Sequence, residues 1–523
     1  MEVKAIKVSE VLLQFELDEA VHSQDIKVKE FLPCNSDEDR KTLKREDLII
    51  QENYISIPRF FYGYDRSAHR FQIVIDGNTI KGKQFVTKLN HISRWDYPYP
   101  QPDTIKALAA YGEDLKVLGI KQSLININLP AFMTLSNNVS TFSYVCNGRT
   151  FYFIKEAVEK LDRYMQETYE YGILVTGILL NSPKLFDSQK EEALLSKVIH
   201  PNYDWEDSSA YISAFNMETE EGQEYYKAFV EFLAERYARE DGRYGRMCGM
   251  IISNEINSQY VWGNAGEMEA ADYVKEYTVA LRLAWLSARK YYSNFRIYVS
   301  LDHFWTSTLK PEFPERFYKG REVIDYLNKY SKEEGDFDWG IAYHPYPENL
   351  MYPDFYNDRS ASFDFSTTRI TFKNIEMLPA YLSQPEYLYE GKPRRIILSE
   401  QGFNSRGDSF SEKQGAAAYC LAYEKARKLD TIDLMTHHAY VDNRYEFGLN
   451  LGIRRLNEDD TLGEPKPIYY VMKDMDTEKE KKHILRARAL IGEELYDSIL
   501  NPSILFADAD KSKENEFFEG EAE

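Results

Sequence analysis

Cysteine is scarce in this chain: Cys34, Cys146, Cys248 and Cys420 stand far apart, and no Cys-x-x-Cys pair occurs. That spacing excludes a zinc knuckle and a small disulfide framework, and it predicts free, buried thiols. An excess of positive charge is also missing, since 64 Lys and Arg face 85 Asp and Glu for a net charge of -21. Binding to a phosphate backbone rests on a basic footprint, and an anionic membrane surface repels an acidic chain. Neither a nucleic-acid nor a membrane partner is expected. No segment reaches the roughly 18 uninterrupted apolar residues of a membrane span. The first residues, MEVKAIKVSEVLLQFEL, lack the n-region, h-region and cleavage site of a signal peptide. The chain therefore reads as cytoplasmic, although a secreted form made without its signal peptide has the same appearance.

What is present fits a large folded protein. Hydrophobic residues make up 43% and charged residues 28%, which suits a soluble globular chain rather than a disordered one. The 523 residues accommodate one (β/α)8 barrel, about 250 residues or more with insertions, and an accessory domain. The 40 tyrosines against 6 tryptophans suit a protein that handles sugars, whose C–H faces pack on rings while hydroxyls meet phenols.

Residues 1–82 alternate apolar and polar positions in short bursts: Val11, Leu13, Phe15 and Leu17, then Ile55 and Ile57, then Phe71, Ile73 and Ile75 before the Asp76-Gly77-Asn78 turn. Short alternating strands between turn signals predict an antiparallel β-sandwich. From Lys83 the rhythm changes to strand, helix, strand. Predicted strands run over Phe85–Leu89, Ile120–Leu129, Ile173–Leu180, Met250–Ile252, Phe295–Leu301, Phe337–Tyr343, Ile396–Leu398 and Ile432–Thr436. Helices are predicted between them, at Asp103–Val117, closed by Gly119, and at Phe151–Tyr171, Glu220–Glu240, Glu267–Tyr292, Arg321–Glu333, Lys373–Tyr389 and Glu412–Leu429. Eight such steps make a closed parallel barrel with right-handed crossovers. The predicted organisation is a β-sandwich over 1–82, a (β/α)8 (TIM) barrel over 83–476 and a helical extension over 477–523, acidic and disordered from about Asp508.

Two of the apolar strands end in glutamate. Met250, Ile251 and Ile252 run into Ser253, Asn254 and Glu255, and Ile396, Ile397 and Leu398 run into Ser399 and Glu400. The carboxyl ends of barrel strands build the active site. Glu255 and Glu400 then face each other across the barrel mouth, the apparatus of glycoside hydrolysis: one carboxyl protonated to donate, the other ionised to attack.

At this point the chain resembles clan A of the retaining (β/α)8 glycoside hydrolases. The Asn254-Glu255 pair after strand four, His344-x-Tyr346 after strand six and Glu400 after strand seven carry the resemblance. NEIN, with Asn257, is similar to the clan's Asn-Glu-Pro-Asn form, and LGIRRLNEDDTLGEPKPIYYVM to the stretch before its last helix; the likeness spans about 84–476. It implies that Glu255 is the general acid/base and Glu400 the nucleophile. It further implies that Asn254 bonds the sugar 2-hydroxyl, Tyr346 donates to Glu400, and His344 contacts sugar or Glu255. A β-linked glycoside is the implied substrate, with no metal or organic cofactor. Trp262 and Trp305, just beyond strand ends, are candidate stacking residues, and Asn181 and His438, at the ends of strands three and eight, complete the substrate-binding set. The chain departs from the clan where a tryptophan often follows strand eight, having Thr436, His437, His438 and Ala439 there, and it has Gln401 after Glu400.

Two other readings compete. A metal-dependent barrel hydrolase would use Asp302, His303, His344, His437 and His438, but adjacent residues of a strand point to opposite faces, so His437 and His438 do not serve one ion. A catalytically silent sugar-binding barrel would keep the fold without turnover.

Overall fold

The structure is a computed structural model that describes residues 1–33, 40–89, 92–185 and 191–502. Cys34 and the acidic tail from Asp508 lie outside the described residues, and the other three cysteines are buried free thiols.

The N-terminal region forms two four-stranded antiparallel sheets. One is ordered Val3–Val8, Leu12–Leu17, Tyr54–Pro58, Ile49–Gln51; the other is Asn78–Thr79, Arg70–Ile75, Ile26–Phe31, Lys41–Lys44. The period of two puts Leu13, Phe15 and Leu17 on one fully buried face. Phe15 meets Phe71 of the other sheet edge to face at 5.5 Å, so the two apolar faces share one core. Each such side chain contributes about 1.5–3 kcal/mol on burial.

Eight parallel strands then close a barrel: β1 (Lys106–Ala107), β2 (Gln122–Asn128), β3 (Leu174–Leu180), β4 (Met247–Ile252), β5 (Arg296–Leu301), β6 (Trp339–Tyr343), β7 (Ile396–Leu398) and β8 (Ile432–Thr436). Helices α1 (Lys155–Glu170), α2 (Glu220–Tyr237), α3 (Ala270–Arg289), α4 (Gly320–Glu333), α5 (Met377–Leu382), α6 (Ser409–Ala426) and α7 (Pro467–Asp474) accompany it. Ala107, Leu124, Ile251, Tyr298, Ala342, Ile397 and Leu434 fill the inside, with Ile178 of β3 packed against them. Gly340 leaves room there for Tyr298, because a Cβ on it would stand 2.7 Å from the ring.

Three expectations change. Phe85–Leu89 is not the first barrel strand: Gln84 exchanges backbone hydrogen bonds with Phe71, and the Phe85 N–H donates to the Glu334 carbonyl just past α4. That segment is therefore tied to the N-terminal sheets and the far end of α4, and β1 lies inside the stretch expected as the helix Asp103–Val117. Only the turn Asp114–Val117 is helical there. Lys106 is buried, and its Nζ donates to the carbonyls of Leu118 (3.4 Å) and Met475 (2.9 Å), satisfying orphan acceptors at two helix ends. Second, Phe151 and Phe153 belong to a hairpin, Thr141–Cys146 with Arg149–Ile154, so α1 starts at Lys155. Its turn, Asn147-Gly148, has φ of 54° and 79°, the left-handed pair a tight hairpin demands. Third, the helix expected at Lys373–Tyr389 is broken into α5 and two single turns, the second opening at Pro385.

Beyond α7, the helices Glu480–Ile491 and Glu493–Leu500 pack on α6, where Lys425 Nζ donates to the Ile499 carbonyl at 2.6 Å and Arg427 pairs with Glu480 at 2.8 Å. No helix among the described residues is long and apolar enough to cross a membrane.

Candidate active site

β4 stops at Ile252 because the next residues leave the extended region: Ser253 has φ 64° and Glu255 φ 35°, both left-handed. The Glu255 N–H donates to Ser300 Oγ of β5 at 2.9 Å, and the chain turns through Ile256–Ser258. Asp302, just past β5, fastens that turn. It accepts from Asn257 Nδ2 at 2.5 Å, Ser258 Oγ at 2.6 Å and the Phe304 N–H at 2.8 Å. Asn257 is thus a structural fastener.

His344 follows β6, its N–H donating to the Leu301 carbonyl at 3.0 Å. Its Nδ1 lies 2.7 Å from Glu255 Oε1, and its Nε2 lies 3.1 Å from Ser399 Oγ. The Tyr346 hydroxyl donates to Glu400 Oε1 at 3.0 Å. Thus the ends of β4, β6 and β7 converge: one oxygen of Glu255, one of Glu400 and a ring nitrogen of His344 all lie within 4.8 Å of one another.

Burial sets the electrostatics. It pushes the Glu255 carboxyl up to about 7; the His344 hydrogen bond works against this, and the charges of Asp302 and Glu400 add to it. Burial alone would lower His344, but the Glu400 charge and the Glu255 hydrogen bond outweigh it and hold the imidazole above its ordinary value. Each of the two groups therefore holds a proton more readily than it would in water. Burial likewise disfavours the charged form of His438, yet its contact with Glu446 at 3.1 Å and the charges of Glu400 and Glu446 raise it to about 9. Its neighbour His437 points away, donates Nε2–H to the Leu451 carbonyl at 2.8 Å, and is pushed by burial down to about 3.

The other expected residues divide. Asn254 is partly buried beside Glu255, and the partly buried Trp262 stacks on Tyr211 with centroids 5.4 Å apart. Asn181 and Trp305 do not reach open space. Asn181 is fully buried, its amide donating to the carbonyls of Val198 (2.8 Å) and Ala214 (2.9 Å), which pins the loop after β3. Trp305 is fully buried, donating its indole N–H to the Phe365 carbonyl at 3.2 Å and packing edge to face on Tyr381. Both side chains are spent on holding loop carbonyls, a use that nearness to a strand end does not reveal. Ser399, Ser300 and Glu446 were missed. The two serines lie two positions beyond the inward residues Ile397 and Tyr298, a parity legible once the strands are placed; nothing local marks Glu446.

Residues 98–499 match the model of a protein family described only as a family of unknown function, DUF5722. The chain belongs to the DUF5722 family. No curated protein matches this DUF5722 chain. Among solved structures it is similar to a family 39 glycoside hydrolase from the gut symbiont Bacteroides cellulosilyticus WH2, at 12% identity and a TM-score of 0.44, covering 92% of this chain and 83% of that one. It is also similar to a hyperthermophilic beta-glucosidase from Pyrococcus furiosus, at 15% identity and TM-score 0.45, covering 72% and 85%. A family 1 b-glucosidase from Thermotoga maritima follows at 12% identity and TM-score 0.42, covering 71% and 86%.

Among the described residues of the DUF5722 chain, two groups have donor atoms close enough to share an ion: Glu255, His344 and Glu400, and His200, Glu218 and Glu276. In the second, the Asn202 N–H donates to His200 Nδ1 at 3.1 Å, so Nε2 carries the ring proton and points it at Glu276, 3.2 Å away. A protonated nitrogen has no lone pair for a metal.

Proposed function

We propose that this protein is a retaining glycoside hydrolase acting on a β-linked glycoside or oligosaccharide by double displacement. The observation that carries the reading is the approach of Glu255 and Glu400, whose nearest oxygens lie within 4.8 Å of each other. Retaining enzymes hold their two carboxyl groups about 5–5.5 Å apart, whereas inverting enzymes keep about 6.5–9.5 Å so that a water fits between. The two carboxyls also have different neighbours. Glu255 is buried against His344 and raised to about 7, fit to be a proton donor near neutrality, while Glu400 accepts from the Tyr346 hydroxyl.

In this mechanism a Glu400 oxygen attacks the anomeric carbon as the bond to the leaving oxygen breaks, and that oxygen takes the proton from Glu255. A glycosyl ester on Glu400 results. Glu255, now ionised, removes a proton from water, which attacks the same carbon and releases Glu400. Asn254 holds the 2-hydroxyl, Tyr346 steadies the Glu400 carboxylate, and Trp262 and His438 border the sugar. The barrel from β1 to α7 is the catalytic unit, the N-terminal sheets its support, and the helices beyond α7 an extension. The partner is carbohydrate.

The test is a panel of aryl glycosides given to wild type, Glu255→Ala and Glu400→Gly, each with and without azide. Azide should rescue Glu255→Ala with a retained-configuration glycosyl azide, and Glu400→Gly with an inverted one. Sugar binding without cleavage by any form would favour the silent sugar-binding barrel. A metal-dependent hydrolase has one observation behind it, the Glu255, His344 and Glu400 donor set; activity lost to a chelator and restored by a divalent cation would favour it.

A further inference from the structure

Register across the barrel defines which strand residues face inward. Leu124 of β2, Ile251 of β4 and Tyr298 of β5 all fill the interior, and Asn126 lies two residues beyond Leu124, on the same face. Pairing gives the same answer independently: Asn126 is in register with Ile178, Ile178 with Ile251, and Ile251 with Tyr298. The other inward positions of the eight strands are buried or partly buried, yet Asn126 is exposed, the one exposed residue in any barrel strand. Its register partner Ile178 is partly open. An inward residue that solvent reaches marks a hollow in the mouth. The Asn126 side chain has no hydrogen-bond partner among the described residues, whereas Asn128 on the same strand is buried and donates to the Ser182 carbonyl at 3.0 Å.

The opposite side of the mouth is closed. His344, Ser399 and Thr436, from β6 to β8, are buried, and His344 bridges Glu255 and Ser399. Solvent therefore reaches the barrel interior on the side of β2 and β3, with Glu255 and Glu400 partly open at the mouth.

We propose that Asn126 is a substrate-binding residue that hydrogen-bonds hydroxyls of an uncharged pyranose ring, with Ile178 under the ring's C–H face. The inference rests on the glycosidase reading and names the sugar class of its site. A carboxamide both donates and accepts, which matches a hydroxyl that does the same. An apolar neighbour beside a few convergent polar groups is the usual lining of such a pocket. Neither Asn126 nor Ile178 offers a cation for a uronate, and the Asn126 carboxamide has no hydrogen-bond partner among the described residues.

The experiment is calorimetry on Glu400→Gln, in which the nucleophile is silenced, and on the same protein carrying Asn126→Ala or Asn126→Asp. The probes are 4-nitrophenyl β-glycosides of glucose, galactose, mannose and xylose, then the monodeoxy analogues of the one that binds. The Asn126 side chain is exposed and makes no contact that holds the fold, so the variants should remain folded, which circular dichroism checks. Asn126→Ala should weaken binding about 10-fold, the loss of one hydrogen bond. Removing one particular hydroxyl should cost about 10-fold with Asn126 present and nothing further once alanine replaces it. Asn126→Asp, which keeps an acceptor and loses the donor, should fall between. If every deoxy penalty persists unchanged in Asn126→Ala, the inference is overturned, while cleavage by wild type would leave the glycosidase reading standing. If no glycoside binds and none is cleaved, both fall.

Discussion

Replacing His344 by alanine removes the one side-chain hydrogen bond that Glu255 has among the described residues, and with it a positive charge that stabilises the ionised form. The contact is short, 2.7 Å, and both side chains are largely enclosed, with 3% and 16% exposure. A hydrogen bond to a charged group is worth about 1.5–3 kcal/mol, and 1.36 kcal/mol is one pKa unit, so Glu255 should rise by about 1–2 units. It starts at about 7 because burial already disfavours its charge. An acid must be protonated to donate, so kcat/KM on a glycoside with a poor leaving group should fall as pH rises through that value in wild type. In His344→Ala the basic limb should move up by about 1–2 units. His344→Asn, which keeps a donor without a charge, should give a smaller upward move. The assay is kcat/KM from pH 4 to 10 in buffers of constant ionic strength. A limb that stays in place, or moves down, would refute the claim that His344 supports the Glu255 anion.

Glu255→Gln should be more stable than wild type at high pH. The native carboxyl is raised from 4.5 to about 7, so the folded state binds the extra proton, and wild type loses stability as pH rises from 4.5 through 7. The advantage of the variant should reach on the order of 3 kcal/mol above pH 8 and vanish below 4.5, read from urea unfolding. Trp305→Ala should cost about 3–5 kcal/mol and Asn181→Ala about 1–3 kcal/mol in the same assay, with little change in activity per folded molecule, because both side chains are buried away from the mouth. Gly402→Ala would put a Cβ 2.3 Å from the His438 carbonyl oxygen. That should shift the end of β8 and lower kcat/KM at least about 10-fold while costing about 1–3 kcal/mol of stability.

β2 to β8 were legible in the sequence because strands covered on both faces run as apolar blocks, as Met250–Ile252 and Ile396–Leu398 do. β1 was not. It is two residues long, and its Lys106 is buried for a reason no local pattern carries, the helix ends it caps from far along the chain. The glutamates were legible because each breaks an apolar block at its carboxyl end. What escaped was direction. Asn181 directly follows its strand and Trp305 sits further out in a loop, yet both are buried, donating to loop carbonyls. Asn126 and Asn128 look alike on the page, and only pairing with β3 and the reach of solvent separate them.

The left-handed backbone at Glu255 bears on which residue that turn favours. A side chain held at φ 35° costs on the order of 1–3 kcal/mol, and glycine adopts that conformation freely. Glu255→Gly relieves the backbone and removes a buried carboxyl in one step, against the loss of the His344 contact, so the balance at this turn shifts toward glycine as pH rises. The glutamate at this turn is therefore held against the preference of its own backbone, and glycine is the residue that the turn by itself would favour.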